Sequence, residues 1–202
     1  MFRKSLSTAA ALAAVIGITT VAAAQAPGAS STHVRGALDA YAGGADYAVI
    51  DSGSTAPDVS FEYASGWMRL KDFRQMGHVL LVISPSKEQL VAIEHERNTL
   101  VDMGVVPVAV LDERPGTCRE LQHSLQLGYT LASDTRRVIG AQFNALEPSS
   151  RADAPAWFVI DHKGRVRELG HGSWPEGTWT TTCANALGLP APDAPRPASY
   201  RH

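Results

Sequence analysis

Sulfur, imidazole and hydroxyl groups define the chemistry open to this chain. Its two cysteines, Cys118 and Cys183, allow one disulfide or two thiols. Cys118 stands in Thr117-Cys118-Arg119-Glu120, the spacing of a capping box, which predicts a helix start with the thiol in the first turn and Arg114 and Arg119 nearby. A helix N-terminus and neighbouring cations lower a thiol pKa, so Cys118 is the candidate nucleophile. Cys183 shares an apolar helical face with Trp179 and Leu187, and burial is its default. Three readings stay open: a Cys118–Cys183 bridge, two unreactive thiols, or a reactive Cys118 with Cys183 as its partner. The histidines, His33, His78, His95, His123, His162, His171 and His202, show no tight metal-ligand spacing and none adjoins a cysteine, so no metal and no cofactor is expected. Ser84-Pro85-Ser86-Lys87 is the other candidate. Two serines at a helix start can bind a small anion through hydroxyls and helix N–H groups, although capping alone accounts for them, and Lys87 reads as solvated.

These groups need elements to hold them. The run His78-Val79-Leu80-Leu81-Val82-Ile83 is continuously apolar, as in a strand buried on both faces of a parallel sheet, and Ser84-Pro85 after it reads as N-cap and first helical position. In open α/β sheets ligands collect at the carboxyl ends of such strands, which places Ser84 to Lys87 in any active site. Before it, Gly53 to Phe73 reads as a strand or hairpin and one helical turn. After it come a helix with Leu90, Ile93, Leu100 and Val101 at helical spacing that stops at Gly104, and a second parallel strand, Val105 to Leu111. Pro107 must sit at that strand's start or on an edge. The predicted helix at Thr117 carries Leu121 and Leu125 inward and ends at Gly128, and Asp134 caps a short helix through Val138, Ile139 and Phe143. Pro155 to Leu169 reads as a hairpin turning at Asp161-His162-Lys163-Gly164. Ser173-Trp174-Pro175-Glu176 has capping-box spacing for a last helix, where Trp174 and Trp179 are core or a partner-facing patch. The order is β-α-β-α, then a β-hairpin and a helix: an α/β fold with a mixed central sheet and helices on both faces.

With 202 residues, 45% hydrophobic, 19% charged and a net charge of −2, the chain suits one soluble domain and gives no reason to expect a nucleic-acid partner. Arg3 and Lys4 precede an apolar stretch from Ala9 to Ala24 that ends in small residues, the pattern of a secretory signal peptide cut after Ala24 or Ala26. Residues 1–24 are thus read as signal peptide, 25–52 as a leader with a short helix from Ser31-Thr32, 53–189 as the domain, and 190–202 as a disordered tail. The mature chain, roughly 175 residues with no membrane span, belongs in the periplasm or outside the cell, where disulfides persist.

Gly53-Ser54-Thr55-Ala56-Pro57-Asp58-Val59, Leu70-Lys71-Asp72-Phe73, Val79 to Ile83, Val105 to Leu111, Leu131-Ala132-Ser133-Asp134 and Ala154 to Val166 follow the order seen in thioredoxin-like proteins. From about Gly53 to Leu187 the chain resembles the redoxin branch: peroxiredoxins of the alkyl hydroperoxide reductase/thiol-specific antioxidant type and secreted thiol-disulfide oxidoreductases. The resemblance implies a thioredoxin-like fold, an antioxidant or thiol-disulfide oxidoreductase role, and a cis-proline at Pro155 beside the active site. Active members carry a cysteine near Ser84 to Lys87, as Cys-x-x-Cys or as the Cys of Thr-x-x-Cys. Here Ser86-Lys87-Glu88-Gln89-Leu90 stands where Cys-Lys-Glu-Glu-Leu would, and no threonine precedes it at that spacing. A serine hydroxyl stays protonated without an adjacent base, and oxygen cannot imitate the sulfenic state that peroxide reduction requires. The resulting expectation is a secreted, catalytically degenerate redoxin that binds a periplasmic protein or a small ligand in the groove near Ser84, Pro85, Ser86, Lys87 and Pro155. The alternative is an active thiol oxidoreductase on Cys118 with Cys183. In some atypical peroxiredoxins the resolving cysteine lies in the corresponding later helix.

Overall fold

Short unbroken runs of aliphatic and β-branched residues suit strands covered on both sides, and the computed structural model builds the centre of its sheet from them. It describes residues 48–63, 66–147, 152–172, 174–175 and 177–190. The elements are β1 (Ser60–Tyr63), β2 (Gly66–Arg69), α1 (Leu70–Met76), β3 (His78–Ile83), α2 (Lys87–Asp102), β4 (Val105–Leu111), α3 (Pro115–Ser124), β5 (Thr130–Ser133), α4 (Val138–Gln142), β6 (Ala156–Ile160), β7 (Val166–His171) and α5 (Trp179–Leu187). The segments read as signal peptide, most of the leader and the tail lie outside the described residues, apart from 48–52 and Pro190. Ile50 is buried and its N–H donates to Asn144 Oδ1 at 2.8 Å, so residues just ahead of Gly53 pack onto the domain.

The seven strands lie in the order β2-β1-β5-β4-β3-β6-β7. β3 is parallel to β4, β4 is parallel to β5, and the two hairpins join the edges antiparallel. Alternation along β3 splits its side chains between two cores. Val79, Leu81 and Ile83 pack with Phe73 of α1 and with Ile139 and Phe143 around α4. Leu80 and Val82 face Leu90, Ile93 and Leu100 of α2, Cys118 of α3, and Trp179 and Cys183 of α5. The architecture is the mixed α/β, thioredoxin-like arrangement that the sequence predicts. β5 joins only at Val108, so Pro107 falls in the opening stretch of β4, before that flank is paired.

Helix starts depart from the sequence reading in three places. Ser84-Pro85 does not begin α2. Ser84 takes φ +52, a turn conformation, and the helix opens two residues later on Ser86. α3 opens at Pro115, whose fixed φ suits the first helical position, so Thr117 is helical and no capping box forms there. Its helix also stops at Ser124. Gly128 lies beyond it, donating its N–H to Glu94 at 2.8 Å where a Cβ would strike Arg97. α5 opens after Thr178, whose hydroxyl accepts from Thr181 N, and not at Ser173. Its other free N–H groups, of Trp179 and Thr180, go to the Glu96 carboxylate of α2 at 3.1 and 2.8 Å.

Candidate functional site

The carboxyl ends of β3, β4 and β5 form one pole of the molecule, and the Ser84 loop crosses it. Ser84 N donates to Val110 O of β4 at 2.9 Å, which holds the turn, and Pro85 is buried behind it. Ser86 then caps α2 in both directions. Its Oγ accepts from Gln89 N at 3.4 Å and donates to Glu88 Oε2 at 2.7 Å, while Gln89 Oε1 accepts from Ser86 N at 2.5 Å. That bond to Ser86 is the largest cause holding the Glu88 carboxyl below its usual range. The hydroxyl that stands at the helix start is therefore engaged on both its proton and its lone pair. Lys87 is exposed. Ile83 pairs with Ala156, so the register carries Pro155 beside Ser84 as the resemblance implies. The Ala154–Pro155 peptide is trans, however, correcting the cis expectation. The chain runs extended from the Leu146–Asp153 bridge straight into β6, without the tight turn that a cis bond serves.

Neither thiol is presented to this pole as a nucleophile. Cys118 is buried on the inner face of α3, its Sγ 3.7 Å from Ala132 O and 3.8 Å from Glu113 O, both acceptors for a protonated thiol. Burial first, then the Glu113 charge, push its pKa up to about 11, opposite to the lowering expected of a first-turn cysteine. Arg114 and Arg119 are exposed, and solvent-screened charge does not offset that burial. Cys183 is pushed up to about 12 by burial, with Glu96 and Glu168 adding to it. Both are free thiols, not a bridge. Near neutral pH the raised pKa keeps Cys118 in its thiol form.

What the sequence reading missed is that Asp112, Asp134 and Asp153 gather around the same strand ends. Asp112 follows β4 and is held by Arg137, whose Nε and Nη2 lie 2.8 and 2.5 Å from Oδ2. Asp134 follows β5 and caps α4, as predicted, accepting from the N–H groups of Val138, Ile139 and Gly140 at 2.9, 2.7 and 2.9 Å. Burial raises its pKa against those three donors. Asp153 is 8% exposed, and neither carboxylate oxygen has a hydrogen-bond partner among the described residues. It packs on Gly140, where a Cβ would overlap Oδ1. Burial, then Asp134 and Asp112, push its pKa up to about 7, with Arg137 pulling down. An Asp directly after a strand is a visible signal for Asp112 and Asp134. Asp153 has none, because its neighbours come from segments distant in sequence.

Two further features belong to this end. His171 pairs with Ala156 at the end of β7, and its ring meets Phe158 edge-on at 5.6 Å between centroids. Burial lowers its pKa, with the Asp51 charge acting the other way, and its Nε2 has no partner among the described residues. Beside β5 a cleft of about 280 Å³ opens between Trp67 of β2, Ser133, Asp134, Arg136 and Val138. Trp67 is 62% exposed, the most open large apolar side chain described. Among the described residues no cluster of three His, Cys, Asp or Glu could hold a metal ion, and no helix is long and apolar enough to cross a membrane.

Comparison with known proteins agrees with this architecture. No curated protein matches the sequence. Among solved structures, the peroxidoxin BcpB from Mycobacterium tuberculosis superposes with a TM-score of 0.60 at 17% identity, covering 69% of this chain and 95% of that one. The reduced 2-Cys peroxiredoxin of Plasmodium vivax gives 0.57 at 18% identity over 67% of this chain and 80% of its own. The mitochondrial 2-Cys peroxiredoxin of Plasmodium falciparum gives 0.57 at 15% identity over 68% and 92%. At such identities these likenesses speak for the fold alone. The sequence model of the AhpC/TSA family matches residues 52–169, more than half of the chain. The chain therefore belongs to the AhpC/TSA family, within the thioredoxin-like redoxins.

Proposed function

We propose that this protein is a secreted AhpC/TSA-family member that has given up thiol chemistry and acts as a binding module at the inherited pole, around Ser84, Ser86 and Pro155. One observation carries the reading: the helix start where the family needs a thiolate holds Ser86, whose hydroxyl is engaged in capping. A hydroxyl there neither ionises near neutral pH nor reaches a sulfenic state. The burial of both native thiols supports the same conclusion, because access and thiolate character together govern oxidation. Secretion rests on the basic start at Arg3 and Lys4 and the apolar stretch to Ala24. The ligand is a periplasmic protein or a small molecule. The rival reading, a thiol oxidoreductase working through Cys118, has that residue's raised pKa against it. The test is to expose the purified protein to mild peroxide, alkylate under native conditions, and read the intact mass with and without prior reduction. The proposal expects no oxygen added to sulfur and no native alkylation. Reductant-reversible oxidation at Cys118 would overturn it.

A further inference from the structure

The amino-terminal end of the sheet, about 20 Å from Ser84 along the six residues of β3, carries a second site of different character. An open cleft of about 460 Å³ is lined by Lys71, Arg74, Gln75, Met76, Gly77 and His162. Every ionisable group lining it is basic. Three carboxylates of this region already accept hydrogen bonds, although the Asp161 charge also acts on His78. Asp161 accepts from the N–H groups of Lys163 and Arg165 at 2.9 Å each, Asp72 accepts from Arg69 N at 2.9 Å, and Asp58 pairs with the Arg69 guanidinium. Neither Lys71 nor Arg74 has an ion-pair partner among the described residues.

Arg74 is nevertheless held in place. Its guanidinium lies across Gly164, which has φ +83 and where a Cβ would overlap it, so the β6–β7 turn provides a seat that only glycine leaves open. Arg74 Nε and His78 Nδ1 are buried without hydrogen-bond partners among the described residues. The His78 ring stands edge-on to that of His162, with 5.3 Å between centroids. A positioned guanidinium, a lysine and an imidazole lining one open cleft suit the several acceptor oxygens and the negative charge of a phosphate group. Met76, 56% exposed, adds an apolar wall.

We propose that this cleft binds a phosphate-class oxyanion through Arg74, Lys71 and His162. The site lies at the other end of the sheet from Ser84, so it stands or falls independently of the reading given there. The test follows the ring nitrogen resonances of His78 and His162 at pH 7 while inorganic phosphate or phenyl phosphate is added at constant ionic strength. Saturable shifts are expected from both probes, with affinity at least tenfold weaker in Arg74→Gln and severalfold weaker in Lys71→Gln, whose side chain is exposed and whose loss leaves the fold intact. Phenyl phosphate binding tenfold tighter than phosphate would identify an ester, with Met76 contacting its organic part, and equal binding would identify the free ion. Shifts no larger than those from sodium chloride, or an Lys71→Gln protein that binds as tightly as the original, would overturn the proposal.

Discussion

At residue 86 the difference between oxygen and sulfur decides the chemistry. A thiol at a helix start is lowered toward neutral pH by the dipole and by free N–H donors, whereas a hydroxyl is not ionised there. Ser86→Cys is therefore expected to be alkylated at pH 7 at least tenfold faster than either native cysteine, as followed by iodoacetamide labelling and mass spectrometry. A rate equal to that of Cys118 would show that the pole no longer activates sulfur. Asp153 makes the opposite point, since its environment favours the proton. Its folded pKa of about 7 lies above that of an unfolded aspartate, so between about pH 4 and 7 the native chain holds a proton that the unfolded chain releases. Stability contributed by this group is present at low pH and is lost as pH rises through about 7. Asp153→Asn removes the titration and should gain roughly 2 kcal/mol on the wild type between pH 5 and 8, measured by urea unfolding. A constant difference across that range would refute the assignment. The serines at 84 and 86 were legible as a missing cysteine because their helix was legible. Asp153 was not, because Gly140, Asp134 and Asp112 reach it only through folding.

At the scale of elements, strands were easier to read than helix starts. β3 shows itself by an unbroken apolar run, and both of its faces are covered. Leu81→Ala should cost about 2–5 kcal/mol by leaving a cavity between the sheet and the helices on that face, measured by chemical denaturation. At α3 and α5 the Ser/Thr-x-x-Glu spacing misplaces the helix start because competing local chemistry decides it. Pro115 pre-empts Thr117 by fixing the first helical φ. At α5 the decisive acceptor is Glu96, which lies 83 residues from Trp179 and could not be paired with it by spacing. Glu96→Ala should destabilise the protein by about 1–2 kcal/mol through loss of two backbone acceptances and of a favourable helix-dipole charge. Thermal unfolding measures this. A change below a few tenths of a kcal/mol would mean that Thr178 alone caps α5.

For the whole molecule, the fold was legible because its motifs occur in one order, and a buried parallel strand followed by a helix admits few topologies. The candidate site at the Ser84 pole was only half legible. The Ser84 loop comes from one continuous segment, but the carboxylates come from the ends of β4 and β5 and from the approach to β6. Two poles of opposite character result, one with buried carboxylates around the Ser84 loop and one with an arginine on a glycine seat that has no ion-pair partner among the described residues. Family membership fixes the scaffold, while the site residues decide what the scaffold does. The central claim is that thiol chemistry is gone, and the most direct measurement is hydrogen peroxide consumption by the purified protein with dithiothreitol as reductant, compared with a Cys118→Ser/Cys183→Ser double variant. The account predicts identical slow rates, set by the reductant alone. Catalytic consumption by the wild type that Cys118→Ser abolishes would contradict it.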